Sequence, residues 1–297
     1  MIRRTPGVAT LLLLSFCIAP ALGQPQQADP DFDTSVKNPA FTKKHPIVLF
    51  DEAHHNFHTA NGRYKPFADL ISHDGCKIMP NRKPFTEKSL RGHDILIIAN
   101  ALGADQMNSP EAAQPAFTDP ECDAVRDWVK AGGSLLLITD HHPMGSAAQC
   151  LADRFGVDMS KGITPILKFD ENTGLGDHPI LRGRDEKERV RKVTTFVGQT
   201  LKGPKGSTPF LNMADDAKEK MPPGVGTNSG KKARIISSKG RSQAIALALG
   251  KGRVLVMGEA AVLSAQIADG EKFGMNAPGS DNRQFALNII HWLAGLI

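Results

Sequence analysis

Four cysteines, one tyrosine and two tryptophans in 297 residues leave this chain short of several kinds of chemistry. Cys17, Cys76, Cys122 and Cys150 show no short spacing, which excludes a dense disulfide framework and a CxxC metal site. One pair among Cys76, Cys122 and Cys150 could close in an oxidising compartment, and buried free thiols fit as well. Neither a Gly-x-x-x-x-Gly-Lys-Ser/Thr loop nor a Gly-x-Gly-x-x-Gly turn after the first strand is present, so the usual phosphate cradles are missing. No Gly-x-Ser-x-Gly elbow occurs, which removes the serine hydrolases built on that turn. The formal charge of +5 is a modest excess and argues against nucleic-acid binding. The longest apolar run, residues 8–18, is shorter than the ~20 residues a spanning helix needs.

That run follows Arg3-Arg4 and precedes Ala21-Leu22-Gly23, the charged, apolar and small-residue order of a secretory signal. Residues 1–23 are therefore expected to be a signal peptide and the protein to be secreted or periplasmic, with no stable membrane insertion after cleavage. A lipid anchor at Cys17 is disfavoured by the bulky Phe16 before it. Cleavage removes Arg3 and Arg4 and no acid, and the charge falls to +3. Residues 24–43 are rich in Gln and Pro and are expected as a flexible lead-in. With 40% hydrophobic residues in the chain as a whole, residues 44–297 are long enough to bury the core of a single α/β domain.

The body begins with the apolar strand Ile47-Val48-Leu49-Phe50. Tyr64, Phe67, Leu70 and Ile71 then recur at helical spacing, with Gly75 as a left-handed stop. Further strands are expected at 76–79, 94–100 and 134–139. Between them, Thr118 and Glu121 form a capping box ahead of Cys122, Val125 and Val129. A helix opening at Ser146 places Cys150 on its apolar face, where it reads as core. Residues 244–249 and 253–257 form a hairpin, and Asp281 is placed to cap the last helix. Alternating strands and helices predict a doubly wound, mostly parallel sheet. Residues 157–240 lose this regularity and are expected as an irregular insertion. Its stretch 203–232, rich in Gly, Pro and Lys, reads as a mobile surface excursion.

Open parallel sheets bind ligands beyond the carboxyl ends of their strands. The first strand ends in Asp51-Glu52-Ala53-His54-His55-Asn56-Phe57-His58, the third in Asn100, the fourth in Asp140-His141-His142, and the last in Glu259. In strand order 2-1-3-4-5, the first and fourth strands lie about 10 Å apart, two spacings of ~4.8 Å. Asp51, His54 and His141 could then hold a divalent metal (zinc, manganese or iron), with Glu52, Asp140 or Glu259 as general base. The competing reading makes Asp51 and Asp140 loop-closing acceptors and the histidines packing residues. His178, ahead of Pro179, reads as a turn residue.

The phrases Phe50-Asp51-Glu52-Ala53-His54, Leu135-Leu136-Leu137-Ile138-Thr139-Asp140-His141, Gly176-Asp177-His178-Pro179-Ile180 and Gly258-Glu259-Ala260 resemble a branch of the class I glutamine amidotransferase-like superfamily, a domain of unknown function. The resemblance spans residues 45–296 and implies a flavodoxin-like fold without implying an activity. Amidotransferases proper carry a nucleophilic cysteine at a Gly-x-Cys-x-Gly turn. The matching turn here reads Thr139-Asp140-His141-His142-Pro143, which argues against ammonia transfer from glutamine. Two expectations follow: a secreted hydrolase-type enzyme, metal-assisted or not, and a non-catalytic binding or scaffold domain for a small-molecule, carbohydrate or peptide ligand.

Overall fold

The computed structural model describes residues 26–226 and 228–297, so the expected signal peptide, residues 1–23, lies outside the described residues. Seven strands form the central sheet: β1 (Ile47–Asp51), β2 (Lys77–Asn81), β3 (Ile95–Ala99), β4 (Ser134–Ile138), β5 (Thr208–Pro209), β6 (Ala244–Leu249) and β7 (Gly252–Met257). Their spatial order is β5-β6-β7-β4-β3-β1-β2. β2, β1, β3, β4 and β7 run parallel, whereas β6 and β5 add antiparallel at one edge. The sheet is therefore mixed, because the hairpin β6-β7 turns back across Gly250-Lys251 instead of crossing over through a helix.

Four longer helices cover the sheet: α1 (Lys65–His73), α2 (Asp119–Ala131), α3 (Met144–Asp153) and α4 (Asn282–Leu293). The period-2 alternation of the strands divides the core between the two faces. Val48, Phe50, Ile95, Ile97, Leu136, Ile138 and Leu255 pack with Phe67, Leu70 and Ile71 of α1 and Phe285, Ile289 and Ile290 of α4. Leu49, Leu96, Ile98, Leu135, Leu137, Val254 and Val256 face the other way, onto Cys122, Val125 and Val129 of α2 and Leu151 of α3. Each fully buried apolar side chain of this size contributes about 1.5–3 kcal/mol. That burial explains why β3, and β4 from Leu135 onward, are apolar: both of their faces are covered.

The local punctuation follows chemistry. The α2 capping box forms, with Pro120 in the first turn. Gly75 takes φ +106° after α1, and an added Cβ there would meet the Phe41 carbonyl at 2.2 Å. Asp281 behaves otherwise than expected. Its side chain makes no cap bond; it accepts the backbone N–H groups of Arg191 (2.8 Å) and Lys192 (2.9 Å), tying α4 to the insertion.

The insertion is better packed than its composition predicts. Asp158–Met159 pairs with Leu201–Lys202, Leu167–Phe169 with Val193–Thr195, and Lys218–Met221 with Arg234–Ser237. It also supplies β5 and buries Phe210 and Leu211 completely, so residues 203–232 are not a featureless excursion. Single apolar residues spaced between turns carry this packing, a pattern that periodicity does not register. His178 is buried, stacks on Phe210 and accepts the Ile180 N–H at 3.3 Å at the start of a one-turn helix, Pro179–Arg182. The lead-in packs as well: Gln27–Ala28 pairs with Ala265–Ala268 along Gln266 and Ile267, and Phe41 joins the core. No helix among the described residues is long and apolar enough to cross a membrane.

Candidate functional site

The carboxyl ends of the five parallel strands carry three polar groupings, and neighbouring residues of one loop belong to different ones. The first is a buried clamp. Asp51, the last residue of β1, meets His54 Nδ1 with both carboxylate oxygens, at 2.8 and 3.0 Å. His54 Nε2 lies 2.9 Å from Glu121 Oε1. A carboxylate only accepts, so an imidazole bonded to one on each nitrogen donates twice and is the cation. Burial works against that charge, but Asp51 and Glu121 outweigh it and raise the proton affinity of His54 above its ordinary value. The remaining valences are filled. Asn81 and Asn56 donate to Asp51 at 3.1 Å each, Glu121 accepts the N–H groups of Phe85 and Thr118 at 3.0 Å each, and the His54 ring lies 4.7 Å from the rings of Phe85 and Phe117.

This clamp bears on the expected metal trio. Asp51 and His54 are brought together, but onto each other, and both ring nitrogens are used. His141 does not join them: its Nδ1 lies 2.7 Å from the carbonyl oxygen of His142, on the half-exposed loop after β4. Among the described residues, no group of three or more His, Cys, Asp or Glu side chains is arranged to hold a metal ion.

The second grouping lies under the β4 and β7 loops. Asn100 takes φ +50° after β3 and exchanges two bonds with Asp140: its Nδ2 donates to Asp140 Oδ2 (2.7 Å), and its Oδ1 accepts the Asp140 N–H (2.8 Å). Asp140 Oδ1 accepts the N–H of Ala260 at 2.7 Å, while Glu259 accepts those of Ala261 and Val262 at 2.7 and 2.9 Å. Burial raises the Asp140 carboxyl, and burial together with the Asp140 charge pushes Glu259 up to about 8. Gln199 closes the loop from behind, donating to the Thr139 hydroxyl and the Asp140 carbonyl at 2.6 and 2.7 Å. Beneath them, Tyr64 donates to the Ala260 carbonyl at 2.6 Å, and His58 stacks on the Tyr64 ring.

The third grouping is open. A crevice of about 340 Å³ is lined by Glu52, Ala53, His55, Asn56 and Phe57 from the loop after β1 and by Leu102 and Asp105 from the loop after β3. β1 lies between β2 and β3, so chain progression reverses direction between β1 and β3, and the two loops diverge there. Glu52 is half-buried; its Oε1 accepts the Ala60 N–H (3.2 Å) and its Oε2 meets Arg82 at 3.3 Å. His55 is exposed, takes φ +48° and pairs with Asp105. Positive φ costs a non-glycine residue free energy, and such positions gather at functional loops. The crevice is joined to the second grouping through Asn100, whose carbonyl accepts the Phe57 N–H at 2.9 Å.

Of the expected bases, Glu52 thus lines the crevice, and Asp140 and Glu259 lie together in the second grouping. Glu121 is recognisable in the sequence only as a capping residue, a role it keeps with its second oxygen. Asp105 carries no sequence signal beyond its place in a long connection. No known protein family matches the chain, and no curated protein matches it. Solved structures do. The mmIFT52 N-terminal domain superposes with a TM-score of 0.56 at 14% identity, covering 83% of this chain and 96% of that one, which shows a shared α/β fold. A putative ThuA-like protein from Bacteroides uniformis (TM-score 0.44, 12% identity, 86% and 94% covered) and a putative GMP synthase protein from Thermoplasma acidophilum (TM-score 0.44, 14% identity, 86% and 97% covered) are more distant.

Proposed function

We propose that this protein binds a small polar molecule in the crevice between the loops after β1 and β3 and acts on it by proton transfer, as a hydrolase-type enzyme with Glu52 as general base. The observation that carries the proposal is the crevice itself, an open volume where strand order reverses, with Glu52, His55, Asn56 and Asp105 on its wall. Its size is at the low end for ligand sites, which suits a compact polar substrate such as a sugar or a short peptide. Glu52 is the only expected base among the lining residues. His55, oriented by Asp105, supplies the acid that protonates a leaving group. Asp140 and Glu259 position the loops, since they lie outside the crevice lining and their oxygens accept bonds from Asn100, Ala260, Ala261 and Val262. The reading uses no metal at Asp51 and His54, whose donor atoms serve each other.

The same proposal assigns the chain to a cysteine-less branch of the amidotransferase-like superfamily with a flavodoxin-like sheet. Supporting it are the order β2-β1-β3-β4-β7 of the parallel strands and the turn Thr139-Asp140-His141-His142-Pro143. Export rests on residues 1–23 and is tested by N-terminal sequencing from the native host; an intact Met1 on the mature protein would defeat it.

The activity is tested by turnover of a panel of small esters, amides and glycosides. Glu52→Gln should lower the rate by roughly 10²–10⁴-fold, the range of general-base catalysis, with the melting temperature unchanged. The satisfied clamp and Asp140 grouping favour a second reading, a binding or scaffold domain. Panel members that raise the melting temperature without being turned over would establish that reading and sink the enzyme.

A further inference from the structure

Cys122 and Cys150 stand on adjacent helices on the face of the sheet opposite α1 and α4. Cys122 is in the first turns of α2 and fully buried; Cys150 lies on α3 and is half-buried. The Cys150 thiol donates to the carbonyl oxygens of Phe117 and Ala147 at 3.6 Å each; Phe117 directly precedes Thr118, the N-cap of α2, so Cys150 packs against the first turn of α2, where Cys122 lies. Arg154 ties the same helices together, reaching from the end of α3 to Asp119 (2.6 Å) and Asp123 (2.8 Å) of α2. Cys76 is buried between α1 and β2, in the core of the other face.

We infer that Cys122 and Cys150 form a reversible disulfide that staples α2 to α3 when the protein meets a low-molecular-weight disulfide. Cys150 is the attacking thiol because it is the more exposed of the two. Its thiolate is also the easier to form: the neighbouring Cys122 thiol holds its pKa down to about 7. Attack on R–S–S–R forms the mixed disulfide of Cys150 and releases one RS⁻. Cys122 then attacks the Cys150 sulfur, expelling the second RS⁻, and the protons of the two protein thiols end on the two RSH products. Two protein thiols are oxidised and one small disulfide is reduced. The staple lies beside the clamp: Glu121, which holds His54, precedes Cys122, and Phe117, whose carbonyl faces Cys150, packs on the His54 ring.

The test exposes the full chain to oxidised glutathione, blocks free thiols and maps peptides without reduction. A peptide linking Cys122 to Cys150, lost on adding reductant, is expected, with a melting temperature raised by about 5 °C, as a disulfide of ordinary strength gives in a domain of this size. In Cys122→Ser the glutathione adduct should persist on Cys150, because nothing resolves it. Two separately blocked thiols in the wild type, or an adduct that stops at Cys150 with Cys122 present, would overturn the inference. So would a link from either residue to Cys76.

Discussion

Asp51 and His54 on one hand, and Glu52 and His55 on the other, are chemically alike and adjacent in the chain, yet they have opposite fates. The first pair is buried in a clamp where every polar atom has a partner. The second faces a crevice, with Glu52 held by the Ala60 N–H and a long contact to an exposed arginine, and His55 by an exposed aspartate. The clamp belongs to folding, because removing any member leaves a charge stranded in the interior. The crevice is the part our proposal assigns to ligand chemistry, because it is open and its His55 and Asp105 side chains are exposed. Residue type and spacing do not separate these roles; the supply of partners does.

The sharpest way to break the comparison is to remove one histidine from each side. His54→Ala should destabilise the protein by roughly 3–5 kcal/mol, as it leaves the Asp51 and Glu121 carboxylates buried without their shared cation. His55→Ala should cost no more than about 0.5 kcal/mol, the usual surface effect. Urea unfolding of both variants measures the difference. Equal losses would mean that the two histidines share one structural role.

A smaller effect concerns pH. Burial keeps the Glu259 proton in the folded state up to about pH 8, whereas the unfolded chain releases it near 4.5. The folded state therefore binds more protons across that interval, and stability should fall as pH rises from about 4.5 to about 8, by an amount on the order of a few kcal/mol. Asp140 and His54, both raised, act in the same direction: the His54 contribution is complete below its ordinary value near 6.5 and is lost as pH passes its higher folded value. Glu259→Gln should flatten the slope without abolishing it. Identical profiles for variant and wild type, from melting curves at fixed ionic strength, would count against a protonated Glu259.

The smallest effect expected is that of Arg82→Ala. The Arg82 side chain is 74% exposed and meets Glu52 at 3.3 Å, a surface pair that contributes about 0–1 kcal/mol. Its loss should leave stability nearly unchanged while freeing Glu52, so any change in ligand response would sharpen the assignment of Glu52 to the crevice. A large loss of stability would instead move Glu52 to the clamp's side of the comparison.

Much of the scaffold was legible because it depends on local and periodic signals. Apolar strands ending in acids, the Thr118–Glu121 box, the Gly75 stop and the β6-β7 hairpin all follow from short-range chemistry. The insertion was not legible, because Phe210 and Leu211 are buried by tertiary packing that no 2.0 or 3.6 period announces. The gathering of polar groups at the carboxyl ends of the strands was legible, and their pairing was not.

By itself, the sequence determined that acids and histidines would collect at one end of a strand-rich α/β domain. Side-chain alternation and the right-handed crossover leave the carboxyl ends of parallel strands on the same side. Only the tertiary structure decided which of those groups would be spent on one another. Glu121 reaches His54 across 67 residues, and Asp140 meets Ala260 across 120. Such pairings arise where burial makes an unpartnered charge costly, and that cost depends on distant chain segments.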